Sequence, residues 1–125
     1  MHCEERDMKS GPEADKVYLA HMLECIARIT EYTSDDEALF RSSRLVQDAV
    51  VRNLQTLAES SQRLSDAVKG SEPATPWRAI SGFRNILVHD YLGIDADVIW
   101  QVVSRELPPL RTALARILAR SNDSR

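Results

Sequence analysis

The sequence predicts an all-α protein, an up-and-down four-helix bundle with short connections. Its apolar residues recur at three- and four-residue intervals, which is helical spacing, and they nowhere sustain the alternation typical of strands. Glycine and proline are scarce, at four and five residues, and most of them fall between the predicted helices. A length of 125 residues, 43% of them hydrophobic, suits a single domain with its own core.

The first predicted helix covers residues 13–32. One side of it carries an apolar stripe, formed by Leu19, Met22, Ile26 and Ile29. After it, Ser34 and Glu37 have the spacing of a capping box, in which serine is the N-cap and glutamate the third helical residue. This pattern predicts that a second helix begins there.

The second predicted helix is long, covering residues 35–69. Its buried side is apolar and holds Val46, Val50, Leu54, Leu57, Leu64 and Val68. Its opposite side is charged and holds Arg41, Arg44, Asp48, Arg52, Glu59 and Arg63. Asp48 and Arg52 have the i,i+4 spacing of a helical ion pair, so this side is interpreted as a solvated face.

The third predicted helix begins at Thr75 and Pro76, an N-cap followed by proline at the first helical position. It ends near residues 91–92, where Gly93 can adopt the left-handed conformation that closes helices.

The fourth predicted helix starts after Asp95, which acts as its N-cap. Pro108 and Pro109 each lack an N–H and clash with the preceding turn, so they should kink or break it. A last helical piece then covers residues 110–120. The C-terminal helix is therefore expected to be kinked or split.

These elements define one helical domain over residues 13–120, with a disordered N-terminal extension at 1–12 and a frayed tail at 121–125. The apolar runs are far shorter than the roughly 18 residues needed to cross a bilayer. The first residues contain no apolar region typical of a signal peptide. We therefore expect a cytoplasmic protein without a membrane segment.

Charge and cysteine content exclude several classes of function. Sixteen basic and nineteen acidic residues give a net charge of −3, which argues against bulk electrostatic binding of duplex DNA. Any contact with nucleic acid must be local, and the cations are mostly arginines, which favour bidentate pairing with phosphate. Cys3 and Cys25 provide neither a disulfide framework nor a four-ligand zinc site, so both are expected to be reduced thiols without a function.

The third helix has two distinct faces. Its inward face is apolar and follows helical spacing at Ile80, Phe83, Leu87 and Tyr91. Its outer face consists of Arg78, Gly82, Asn85 and His89. Glycine within a helix costs about 0.5–1 kcal/mol relative to alanine and often permits close approach of another backbone. One explanation is a second copy of the chain that packs here across a two-fold axis.

Arg84 and His89 suit phosphodiester chemistry. Histidine titrates near neutral pH and can transfer protons, whereas a guanidinium can stabilise the charge of a reacting phosphate. The two residues are about 140° apart around the helix, so they would converge better in a groove between two protomers.

These residues also carry a resemblance to a known family. The segment from Arg84 to Tyr91 reads R-N-x3-H-x-Y, which resembles the Arg-x4-His-x-Tyr signature of the HepT-like toxins in the HEPN superfamily of α-helical ribonucleases. Similarity to that family also extends to residues 48–59, Trp77, residues 99–103 and residues 107–108. The resemblance covers approximately residues 15–118.

The resemblance implies a homodimeric, HEPN-like toxin of a type VII toxin–antitoxin system, which cleaves RNA without metal or other cofactor. Arg84 and His89 would be catalytic, and Asn85 would help to position the site. Tyr91 would accept AMP from a cognate MntA-like nucleotidyltransferase antitoxin. Arg78, on the same helix face, is a candidate additional phosphate contact. Attack by the 2′-OH makes RNA, rather than DNA, the substrate.

Two alternatives remain open from the sequence. The first is a non-catalytic module that binds a nucleotide or nucleotidyltransferase and keeps the motif as a docking surface. The second is a plain helical homodimer whose polar stripe only sets the register between the two copies.

Overall fold

The computed structural model describes residues 11–88 and 95–123, without the side chains of residues 85–88 and 123. Every regular element in these ranges is helical, so the all-α prediction is confirmed for the described part of the chain. Seven α-helices and one π-helical segment follow each other as α1 Pro12–Thr33, α2 Glu37–Ser42, α3 Arg44–Gln62, α4 Asp66–Gly70, α5 Trp77–Val88, α6 Ala96–Gln101, the π-helical segment Val102–Glu106 and α7 Leu107–Asp123.

The predicted capping box at Ser34 is wrong. Ser34 closes α1 instead, because its φ of 52° is left-handed and its N–H donates to the Thr30 carbonyl. Asp35 also has a positive φ, so the chain turns away before the next helix can begin. The N-cap of α2 is Asp36, whose carboxylate accepts a hydrogen bond from the Leu39 N–H at 3.1 Å.

The single helix predicted over residues 35–69 is also wrong, and its first break lies at Ser43. Ser43 has extended backbone angles, and its side chain accepts the Val46 N–H at 3.1 Å as the N-cap of α3. The Gln47 side chain donates to the Phe40 carbonyl at 3.0 Å and so satisfies the end of α2. Local polar side chains therefore replace the helical hydrogen bonds that a continuous helix would make.

The second break, at Ser65, depends on a distant residue. Ser65 is extended, and its hydroxyl accepts the Val68 N–H at 3.2 Å as the N-cap of α4. The carboxylate of Asp15 accepts both the Ser65 N–H, at 2.9 Å, and the Ser65 hydroxyl, at 2.8 Å. This contact joins the start of α1 to the chain just beyond the end of α3.

The two predicted faces of residues 35–69 are nevertheless present. Val50, Leu54, Leu57 and Leu64 are buried, and the six charged residues of the opposite face are exposed. The predicted pairing differs: Asp48 contacts Arg44 at 3.5 Å, rather than Arg52.

The C-terminal region follows the prediction at its start and departs from it at the prolines. Asp95 caps α6 as predicted and accepts the Val98 N–H at 3.3 Å. The irregularity is the π-helical segment, and α7 begins at Leu107, three residues before the predicted start. Pro108 and Pro109 therefore lie in the first turn of α7, directly after the π-helical segment, and the Leu107 N–H just before them donates to the Val102 carbonyl.

The core lies where α3 packs against α1 and α5, and where α1 also packs against α7. Its largest fully buried side chains come from several elements and include Leu19, Met22, Ile29, Phe40, Leu54, Leu57, Ile80 and Leu114. Cys25 is a free thiol within this core, and burial raises its pKa. The up-and-down order and the homodimer stay predictions. None of the described helices is both long and apolar enough to cross a membrane.

Candidate active site on helix α5

Helix α5, which carries the first part of the R-N-x3-H-x-Y motif, is anchored at its start. It begins at Trp77, one residue later than predicted, and the Ile80 N–H donates to the Pro76 carbonyl at 3.0 Å. The Trp77 indole N–H donates to the carbonyls of Lys69, at 3.0 Å, and Glu72, at 3.2 Å. The loop that precedes α5 is thereby tied to the helix.

A buried carboxylate fixes this loop to α7. The Glu72 oxygens accept from Arg116 Nε at 3.0 Å and Nη2 at 2.8 Å, and Arg120 Nη1 lies 2.9 Å from Oε2. The hydrogen bonds from Arg116 lower the pKa of Glu72 to about 2 against the effect of burial, and Arg120 adds to them. Glu72 therefore remains ionised and joins two elements at neutral pH.

The faces of α5 match the prediction where side chains are described. Ile80 and Phe83 are only 1% and 5% exposed, whereas Arg78 of the predicted outer face is exposed. Arg84, which belongs to neither predicted face, is exposed as well. The inward position of the stripe is therefore confirmed at its first two members. A Cβ added at Gly82 would meet nothing within 4 Å, so the backbone is open on this side of the helix.

The arginines of α5 differ from several others in their surroundings. Neither Arg78 nor Arg84 forms an ion pair with any residue that the structure describes. Arginines elsewhere that contact carboxylates are Arg28, Arg41, Arg44, Arg116 and Arg120. The guanidinium of Arg84 is thus exposed, charged and not neutralised by a described carboxylate, as binding of a phosphate requires.

His89 and Tyr91 lie outside the described residues, and so does the side chain of Asn85. The predicted end of the third helix near Gly93 lies outside them as well.

Helix α6, the element that follows the motif segment in the sequence, is also anchored by tertiary contacts. Arg41 of α2 contacts Asp97 of α6 at 2.6 Å and Glu37 at 2.8 Å. The hydrogen bonds that Arg41 donates, to Asp97 first and to Glu37 second, raise its pKa. The rings of Phe40 and Trp100 lie 5.4 Å apart beside this pair. Helix α6 is therefore tied to α2 by an ion pair and a ring contact.

The sequence interpretation did not identify Glu72 or Asp97 as parts of this framework. Glu72 lies in a proline-containing loop that resembles an ordinary linker. The available signal was the pair Arg116 and Arg120, which are four residues apart and therefore on one side of a helix. Such a pair can bind one carboxylate, but local spacing does not identify which one.

A separate cavity of about 430 Å³ lies between the start of α1, α4 and the end of α7. Asp15 and Ser65 line it together with mostly apolar groups, and their polar atoms already bind each other. No α5 residue belongs to its lining, so the motif and this cavity are distinct among the described residues.

Comparison with known proteins places the motif in a family context. A family model described as Ribonuclease HepT-like matches residues 22–117, which include the whole R-N-x3-H-x-Y segment. The chain is 33% identical over 99 residues to a candidate ribonuclease HepT of Thermococcus cleftensis, covering 77% of this chain and 88% of that protein. It is 32% identical over 97 residues to a candidate RNase of Methanocaldococcus jannaschii, covering 77% and 89% respectively.

A longer relative and the solved structures complete the comparison. A second protein of Methanocaldococcus jannaschii, named as a gamma-glutamylcyclotransferase and candidate RNase, is 35% identical over 104 residues. The alignment covers 82% of this chain, which spans about half, 47%, of that relative. No solved structure gives a significant match.

Proposed function

The chain belongs to the HepT-like ribonuclease family, and on that premise we propose that it is a metal-independent endoribonuclease and the toxin of a type VII toxin–antitoxin system. The observation that carries the proposal is Arg84, an exposed arginine that begins the family-like motif and has no carboxylate partner among the described residues. Cellular RNA in the cytoplasm is the proposed substrate.

In the proposed reaction, His89 is the general base. It takes the proton of a ribose 2′-OH, and the oxygen attacks the adjacent phosphorus. The bond from phosphorus to the 5′-oxygen breaks, which leaves a 2′,3′-cyclic phosphate on one product. The departing 5′-oxygen takes a proton from the His89 of a second copy of the chain. Arg84 stabilises the extra negative charge of the pentacoordinate phosphorane.

The proposed enzyme is a homodimer, because the five-residue spacing of Arg84 and His89 corresponds to about 140° on a helix. Two copies related by a two-fold axis can bring these groups into one groove. The open backbone at Gly82 supports this arrangement, since it leaves room for another helix on the outer side of α5. Asn85 helps to position the site, and the exposed Arg78 provides a further phosphate contact.

Substitution of the two catalytic residues tests the activity directly. We expect His89→Ala to reduce cleavage of total RNA by about 10²–10⁴-fold, the range of general acid–base catalysis. Arg84→Ala should cause a comparable loss. The matched control is Arg44→Ala, which removes an exposed arginine already paired with Asp48 and should cleave normally.

Three outcomes would contradict the proposal. Unchanged cleavage by the His89 variant would remove the catalytic assignment, and loss of activity on metal chelation would remove the proposed mechanism. If the purified chain cut no RNA at all but bound the nucleotidyltransferase, the motif would be a docking surface instead.

The proposed regulation is AMP transfer to the Tyr91 hydroxyl by a cognate MntA-like nucleotidyltransferase. AMP would add bulk and negative charge beside Arg84 and His89, which would block a phosphate-binding groove. After incubation with that enzyme and ATP, mass spectrometry should detect added AMP on the Tyr91 peptide. RNA cleavage should fall in proportion to modification, whereas Tyr91→Phe should remain unmodified. Persistent modification of the Tyr91→Phe chain would place the acceptor elsewhere.

A further inference from the structure

Arg63 is an exposed arginine that the proposed reaction does not use. It follows the last residue of α3, and its backbone N–H donates to the Ser60 and Ser61 carbonyls at the helix end. The position of its backbone is therefore defined, while its side chain extends into solvent. Like Arg78 and Arg84, it forms no ion pair with a described residue.

The absence of a carboxylate partner for Arg63 is informative because its sequence neighbours offer two. Glu59 precedes it by four residues, which is the spacing of a helical ion pair, and Asp66 follows by three. Neither carboxylate contacts it within 4.0 Å in the described structure. No described carboxylate therefore competes with an external anion for this guanidinium.

The contact between α3 and α5 limits the distance between Arg63 and the start of the motif helix. The hydroxyl oxygens of Ser61 and Ser81 are 3.2 Å apart, so the end of α3 touches the first half of α5. Arg63 lies two residues after Ser61, and its Cα is within about 20 Å of that of Arg78. Arg78 and Arg84 each lie three residues from Ser81, about 60° around the helix on either side.

We propose that Arg63 binds RNA phosphate and, with Arg78, extends the substrate site from Arg84 toward the end of α3. The inference rests on the proposed function. It fits a chain of net charge −3, in which nucleic-acid binding must come from a local cluster rather than from overall attraction. Arginine is suited to this role because its guanidinium can bind two phosphate oxygens at once.

Salt dependence of RNA binding tests the proposal. Binding of a single-stranded RNA would be measured by fluorescence anisotropy at several salt concentrations, in a His89→Ala background that does not cut the probe. Each lost phosphate contact should reduce the slope of log affinity against log salt by about 0.7. Arg63→Ala should show this reduction, Arg63→Lys should recover most of it, and Arg44→Ala should leave the slope unchanged.

Kinetics of the active chain provide a second measurement. Removing a residue that binds substrate equally in the ground and transition states raises KM without changing kcat. We expect this pattern for Arg63→Ala, whereas Arg84→Ala should lower kcat.

The two possible failures are distinguishable. The inference is overturned, and the proposed function stands, if the unchanged chain cuts RNA but Arg63→Ala has the same salt slope and the same KM as Arg44→Ala. If the unchanged chain neither cuts nor binds RNA, the proposed function fails and the inference fails with it.

Discussion

Glu72 shows how one buried side chain can determine the position of a distant site. Its carboxylate binds Arg116 and Arg120 of α7, while its backbone carbonyl accepts the Trp77 indole N–H at the start of α5. One residue therefore ties the motif helix to the C-terminal helix. The loop around it holds no catalytic group in the proposed mechanism, but the direction in which α5 leaves that loop depends on it.

The lowered pKa of Glu72 predicts a specific dependence of stability on pH. A carboxyl with a pKa of about 2 in the folded state, against an ordinary 4.5, stabilises the fold fully above pH 4.5. The contribution is lost as the pH falls toward 2, where the folded state also takes up the proton. Glu72→Gln should therefore lower the free energy of unfolding at pH 7, and its difference from the unchanged chain should shrink between pH 4.5 and 2.

Denaturant unfolding followed by circular dichroism at several pH values measures this difference. Glu31→Gln is the matched control, because Glu31 is exposed on α1 and forms no ion pair with a described residue. A Glu72 variant whose deficit stayed constant down to pH 2 would show that ionisation of this carboxyl does not stabilise the fold.

At the scale of elements, serine caps divide the region that local spacing predicts as one helix. Ser43 and Ser65 each cap a new helix, but only Ser65 has a tertiary partner, Asp15. Ser65→Ala removes both the cap and one hydrogen bond to the buried carboxylate. We expect it to lower the free energy of unfolding by about 1–3 kcal/mol.

Ser43→Ala is the matched control for this substitution, since it removes a cap alone and should cost about 1 kcal/mol. Urea unfolding of both variants measures the difference. Equal losses would mean that the hydroxyl contact with Asp15 adds nothing to stability.

The same serines show what could be predicted from the sequence and what could not. The burial of Val50, Leu54 and Leu57 follows from spacing within one helix, so local periodicity was sufficient. The break at Ser65 depends on a partner fifty residues away, and serine spacing alone contains no information about that partner. In the same way, the exposure of Arg78 was predictable from helical spacing, whereas the Glu72 anchor was not.

At the scale of the whole molecule, the proposed site requires a second copy of the chain, and Gly82 is where this requirement can be tested. Gly82→Ala introduces no contact within 4 Å inside one protomer and removes the cost of glycine in a helix. It should therefore stabilise an isolated protomer by about 0.5–1 kcal/mol. Gly82→Leu is equally free of clashes at its Cβ, but its side chain would occupy the space that the partner helix needs.

We expect Gly82→Leu to shift the chain toward monomer in sedimentation-velocity experiments. RNA cleavage should be lost in parallel, while the helix content measured by circular dichroism should stay unchanged. Gly82→Ala should remain dimeric, because a methyl group fills less of the interface. The parallel loss is the informative part, since it follows only if Arg84 and His89 from two protomers share one groove. A Gly82→Leu chain that became monomeric and still cut RNA would place the whole site within a single protomer. A chain that remained dimeric with the same affinity would place the interface on another face.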